Sequence, residues 1–155
     1  MSQADTPTGQ PAPMDIARQC AALHSRVFSR LITRHYNSKL AGTGLRITQF
    51  TVLNAIKVSP PESIHQLADT LGMERTSLQR TVDMLIQKGL VRSEPSGHKR
   101  SLGLSLTPKG EELYQQAIRC WQEAHDEFTD LVGKDTWDAA AVQLRRLSKQ
   151  VKATL

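Results

Sequence analysis

Residues 63–107, SIHQLADTLGMERTSLQRTVDMLIQKGLVRSEPSGHKRSLGLSLT, constrain the fold more than any other stretch of this chain. Helical and strand periodicities follow one another there, with a punctuating residue at each change. Ile64, Leu67, Ala68 and Leu71 recur at helical spacing, Ser63 is placed to cap the first turn, and Gly72 closes it. A second helix is predicted from about Glu74 to Lys88, with Leu78, Val82, Leu85 and Ile86 as its buried stripe and Gly89 as its end. Its other face carries Arg75, Thr76, Gln79, Arg80, Asp83 and Gln87, all hydrogen-bonding and none apolar. A core-backed helix with such a face suits the major groove of B-DNA.

A ribbon follows at once. Leu90 and Val91 open one strand, and Leu102, Leu104 and Leu106 alternate with small residues in the other. Pro95, Ser96 and Gly97 mark the turn, and His98, Lys99 and Arg100 sit at its tip. Cations on a thin loop beside a groove-sized helix suit phosphates or a flanking minor groove. The pattern is that of a winged helix-turn-helix.

Charge is spread unevenly. Residues 14–57 carry seven basic residues against one acidic, and residues 74–100 carry six against three, whereas residues 111–140 carry two against eight. That asymmetry would orient the molecule in a phosphate field. The two cysteines, Cys20 and Cys120, are too few for a disulfide framework or zinc module. With no membrane-length apolar run and no signal-peptide layout at the N-terminus, the expected location is cytoplasmic.

Outside the central stretch the chain reads as helix. Residues 1–13 hold three of the seven prolines and no large apolar side chain beyond Met1, so they are expected to form a disordered tail. One helix is predicted from Asp15 to about Leu40, with Ile16, Cys20, Leu23, Val27 and Leu31 on one row and Ala17, Ala21, Phe28 and Ile32 on a second. Arg18, Arg26, Arg30 and Arg34 line the rest. Ala41–Gly44 breaks this helix, and Thr48 is expected to cap the next, which Ser59-Pro60-Pro61 ends. Thr107-Pro108 starts a long helix to about Val132, Gly133 interrupts it, and a last helix from Asp135 repeats Trp137, Ala140, Ala141, Leu144, Leu147 and Val151. A single subunit has little core for these stripes, so the terminal helices are expected to build an intertwined homodimer. The expected organisation is therefore mostly α with a two-stranded β-wing: residues 14–46 and 108–155 for dimerisation, residues 47–107 for the winged helix-turn-helix.

This order of elements resembles the MarR family of bacterial transcription regulators over roughly residues 15–153. The resemblance rests on Gly44-Leu45-Arg46, Thr48-Gln49-Phe50, Ile64 with Leu67-Ala68, Arg75-Thr76-Ser77-Leu78-Gln79-Arg80, Gly89-Leu90-Val91 and Leu106-Thr107-Pro108-Lys109-Gly110. It implies that Arg75, Thr76, Ser77, Gln79 and Arg80 meet bases and phosphates, and that His98, Lys99 and Arg100 form the wing tip. Arg100 matches the wing arginine that enters the minor groove. The family's wing has an Asp two residues before that arginine; His98 stands here instead, so the usual carboxylate support is missing.

The resemblance also implies a cleft for a small aromatic or lipophilic effector, with His24, Phe28, Tyr36, Trp121 and His125 as its candidate lining. The expected function is a homodimeric repressor on a pseudo-palindromic operator in double-stranded DNA, released by such a ligand. Two alternatives compete with it. Peroxide-sensing relatives use an early helix cysteine, but Cys20 falls about two residues too early and on an apolar row. A winged helix can also dock acidic proteins. No metal, cofactor or enzymatic motif is expected, since metal-ligand spacings, phosphate loops and nucleophile elbows are all missing from the sequence.

Overall fold

A computed structural model describes residues 10–61, 63–95 and 102–154. Helices α1 (Pro13–Gln19), α2 (Ala21–Leu40), α3 (Ile47–Val58), α4 (Ile64–Leu71) and α5 (Arg75–Gln87) precede strands β1 (Val91–Pro95) and β2 (Leu102–Leu106). Helices α6 (Pro108–Val132) and α7 (Lys134–Lys152) complete the chain. It divides into two units, Met1–His35 and Tyr36–Leu155, and the division falls within α2.

In the first unit the expected single helix is two. α1 begins at Pro13, which therefore belongs to a helix and not to the tail. The break comes at Cys20, whose backbone is extended at ψ 101. Its Sγ accepts a hydrogen bond from Leu23 N at 3.4 Å, as a capping oxygen does at a helix start. Cys20 is thus a cap and not part of a continuous stripe, and the periodicity that runs across it hid the break. Ile16, Leu23, Val27, Phe28 and Leu31 are all exposed here.

The second unit holds the core. Leu40, Leu53, Ile56, Leu78, Leu85 and Leu90 are fully buried, together with Val52, Val82 and Val91. They come from α2, α3, α5, the first strand and, for Leu90, the turn between α5 and that strand, and each side chain removed from water contributes about 1.5–3 kcal/mol. A short 3-10 turn, Ala41–Thr43, and Gly44 at φ 71 end α2 as the sequence indicates. The start of α3 differs. Arg46 is the cap position, Gln49 Oε1 accepts Arg46 N at 2.9 Å, and Asn37 Oδ1 accepts Ile47 N at 2.7 Å. With both orphan amides satisfied by these groups, Thr48 lies inside the helix and does not cap it.

The strands pair antiparallel, Val91 with Leu106 through Pro95 with Leu102. Pro95 accordingly ends β1 and is not in the turn. Thr107 Oγ1 accepts Gly110 N at 3.0 Å with Pro108 in the first turn of α6, as expected. α7 starts at Lys134, one residue earlier than the spacing suggests, after Gly133 at φ 86. Its apolar row remains uncovered, with Leu147 and Val151 each 55% exposed. Among the described residues no helix is long and apolar enough to cross a membrane.

Candidate nucleic-acid interface

The surface starts with the turn between α4 and α5. Ser63 Oγ accepts Gln66 N at 3.1 Å, and Gly72 reverses the chain at φ 62, a conformation other residues adopt only under strain. α5 then lies on the core through Leu78, Val82 and Leu85, all but removed from solvent. Ile86, expected in that stripe, is 37% exposed and sits at its edge. The helix turns 100° per residue, so burying one side commits the other to water. Arg75, Thr76, Ser77, Gln79 and Arg80 are all exposed on that side.

Local bonds set some of these groups. Gln79 Nε2 donates to Asp83 Oδ1 at 2.8 Å, one turn on, which ties the amide to its own helix. Arg75 and Arg80 form no ion pair among the described residues, and two cations on one groove-sized helix remain available to anions. Arg92, weighed in the sequence only as net charge, also stands on the exposed face of β1. Its Nε donates to Ser105 Oγ at 2.9 Å and lies 3.2 Å from Glu94 Oε1. The alternation that buries Val91 is the signal that would have placed Arg92 outward. His98, Lys99 and Arg100 lie outside the described residues.

A second cluster lies on α6. Of the five residues named for an effector cleft, Tyr36, Trp121 and His125 come together. Tyr36 Oη and His125 Nδ1 are 3.0 Å apart, and the rings of Trp121 and His125 stack at 4.9 Å and 8°. Burial holds the Tyr36 hydroxyl above its ordinary pKa, so it stays protonated and can donate to that nitrogen. His24 and Phe28 belong to the first unit, where His24 Nε2 bonds Arg18 O at 2.9 Å and Phe28 is exposed.

Sequence reasoning missed Phe50, Asn54 and Tyr114. Phe50 stacks on Tyr114 at 5.5 Å and on Trp121 at 6.4 Å, and Tyr114 Oη donates to Asn54 Oδ1 at 2.6 Å. With Thr51, Ile118 and Trp121 they line an open cavity of ≈ 400 Å³. Phe50 looked like ordinary core, and nothing in the sequence brings it beside residues more than sixty positions away. Beside this cluster Lys39 Nζ meets Glu127 at 2.5 Å and Glu123 at 3.0 Å, and the bond to Glu127, then that to Glu123, raises the ammonium pKa. No cluster of His, Cys, Asp or Glu suited to a metal ion occurs among the described residues.

The comparisons with known proteins agree on this architecture. The family model described as MarR family matches residues 43–101. The M. tuberculosis transcriptional regulator MosR, solved in complex with DNA, is similar at 30% identity and TM-score 0.78, over 87% of this chain and 98% of that one. CouR, a transcriptional repressor bound to a 23-mer DNA duplex, is similar at 25% identity and TM-score 0.77, over 90% of this chain and 99% of that one. CouR bound to p-coumaroyl-CoA shares the fold at 24% identity and TM-score 0.76, over 89% and 98% of the two chains.

Proposed function

The chain belongs to the MarR family of transcription regulators, which are not enzymes, and on that premise we propose that it is a homodimeric repressor of a pseudo-palindromic operator. Each subunit lays α5 in a major groove, where Arg75, Thr76, Ser77, Gln79 and Arg80 meet bases and phosphates. His98, Lys99 and Arg100 at the wing tip meet the flanking minor groove or its phosphates, by charge more than by base reading. The observation that carries this reading is the pair Arg75 and Arg80, exposed and without an ion pair among the described residues, on a helix anchored by fully buried Leu78 and Leu85.

Duplex fragments from upstream of the protein's own gene, titrated at several salt concentrations, test it. Wild type should bind steeply with salt and prefer some fragments, and Arg75→Ala with Arg80→Ala should lose that preference. Binding that fails at every salt, with an acidic protein bound instead, would support a protein-docking module.

Release by a small molecule is the second part of the proposal. The cavity walled by Phe50, Tyr114 and Trp121 favours an aromatic effector, with Asn54 and Thr51 offering polar contacts at its rim. CouR's p-coumaroyl-CoA, an aromatic acyl thioester, is the first probe to try. The ligand must prefer one separation of the two α5 helices, since equal binding to both arrangements shifts nothing. Thr51→Trp, which fills the mouth of the cavity from an exposed position, should abolish the ligand's effect and leave operator binding intact. The thiol-switch alternative is tested by Cys20→Ser: an unchanged oxidant response in DNA release would remove it.

A further inference from the structure

The junction between α5 and α6 holds more donors than a turn needs. α5 closes its own end: Leu90 N donates to Leu85 O at 2.9 Å and Gly89 N to Ile86 O at 2.8 Å, with Gly89 at φ 68. The next three carbonyls are taken up by the segment that starts α6. Lys109 Nζ donates to Lys88 O at 2.9 Å, Thr107 Oγ1 to Gly89 O at 2.6 Å, and Thr107 N to Leu90 O at 3.0 Å. The Thr107 hydroxyl also accepts Gly110 N at 3.0 Å, so its one hydrogen and a lone pair are both committed. Gly110 lets the two backbones meet, since a Cβ there would stand 1.9 Å from Leu90 O.

Capping α6 requires only the bond that Thr107 accepts. Donation to Gly89 and the reach of Lys109 back to Lys88 serve α5 instead, and the Lys109 ammonium sits at the negative end of that helix's dipole. We propose that Thr107 and Lys109 are positioning residues for DNA reading, clamping the C-terminal end of α5 and the root of the wing to α6. The angle at which Arg75 and Arg80 are presented is then set by α6 as well as by the helix-turn-helix. This rests on the reading of α5 as the DNA-facing helix.

Thr107→Val keeps the shape and removes both hydroxyl bonds, whereas Thr107→Ser keeps both. Residue-resolved amide exchange on the free protein is the first measurement. Amides of residues 88–94 should exchange about tenfold faster in Thr107→Val and near the wild-type rate in Thr107→Ser, with α3 unchanged in both. The second measurement uses a duplex selected by the wild type from random sequence, and a scrambled duplex of equal length. Preference for the selected duplex should fall about fivefold in Thr107→Val, while scrambled-duplex affinity and its salt dependence stay the same, because every cation remains. Lys109→Met should move the exchange of residues 88–94 and the preference in the same direction; unchanged values remove Lys109 from the clamp. A Thr107→Val chain with wild-type exchange at residues 88–94, or with only a lower melting temperature and full preference, overturns the proposal. A wild type that prefers no duplex overturns the DNA reading itself, and the exchange measurement still decides whether the clamp holds α5.

Discussion

Arg80 shows how a single side chain acquires a role from its neighbours. Its helix is fixed by Leu78, Val82 and Leu85, so the guanidinium is carried on a rigid base and its five donors reach outward. If it reads a guanine, Arg80→Ala costs about 1–3 kcal/mol of discrimination and relaxes preference at one position; if it meets phosphate, binding weakens uniformly and the salt slope falls by about one. Comparing the two variants on selected and scrambled duplexes separates these outcomes for Arg75 and Arg80.

Lys57 and Glu111 offer a second test at this scale, one of stability. Their ion pair joins α3 to α6, and the hydrogen bond from Lys57 draws the Glu111 carboxyl below its ordinary value of 4.5. A carboxyl whose folded pKa is depressed stabilises the fold above its unfolded value and loses that contribution as pH falls through the folded one. The melting temperature of Lys57→Met should therefore lie slightly below wild type at neutral pH and converge on it as pH drops below 4.5. Both groups are part-exposed, so the gap is small and should shrink in high salt. A gap that persists in acid would show that Lys57 acts instead through the Tyr114 ring, over which its Nζ lies 5.6 Å from the centroid.

At the scale of elements, α5 carries the most weight per residue. Leu85→Ala should destabilise the protein by about 2–5 kcal/mol in denaturant unfolding, because the side chain is fully buried in the core cluster. The exposed Ile86→Ala beside it should cost well under that. The helices and their ends were largely legible beforehand, because Ser63, Gly72, Thr107-Pro108 and Gly133 signal through local backbone chemistry that needs no partner. Two starts were not. Cys20 is a rare cap, and the apolar spacing continues across it. At α3 the acceptor for Ile47 N is Asn37, ten residues back, which no local reading of Thr48-Gln49 contains. The cavity proposed for an effector was legible only in part, for the same reason: Trp121 stands out on its own helix, whereas Phe50 and Asn54 arrive through tertiary packing. Arg75, Thr76, Gln79 and Arg80 on α5 were read correctly as exposed from amphipathicity, whereas Ser77, also exposed, came only from the family resemblance.

For the whole molecule, the uncovered apolar rows are what a lone subunit fails to explain. Leu144, Leu147 and Val151 follow helical spacing along α7 and remain about half exposed, as do Leu23, Val27 and Leu31 in the first unit. Two-fold pairing through these helices would bury them and hold two copies of α5 at one separation. Leu144→Glu with Leu147→Glu should yield a monomer in sedimentation and weaken operator binding sharply, while scrambled-duplex affinity per subunit changes little. A paired scaffold also fixes the spacing of the sites it can read. Selecting bound fragments from random double-stranded DNA is the most direct measurement of this. The expected product is a pseudo-palindrome with half-sites centred about 10 bp apart. Enrichment of no sequence, or of a single asymmetric half-site, would contradict it.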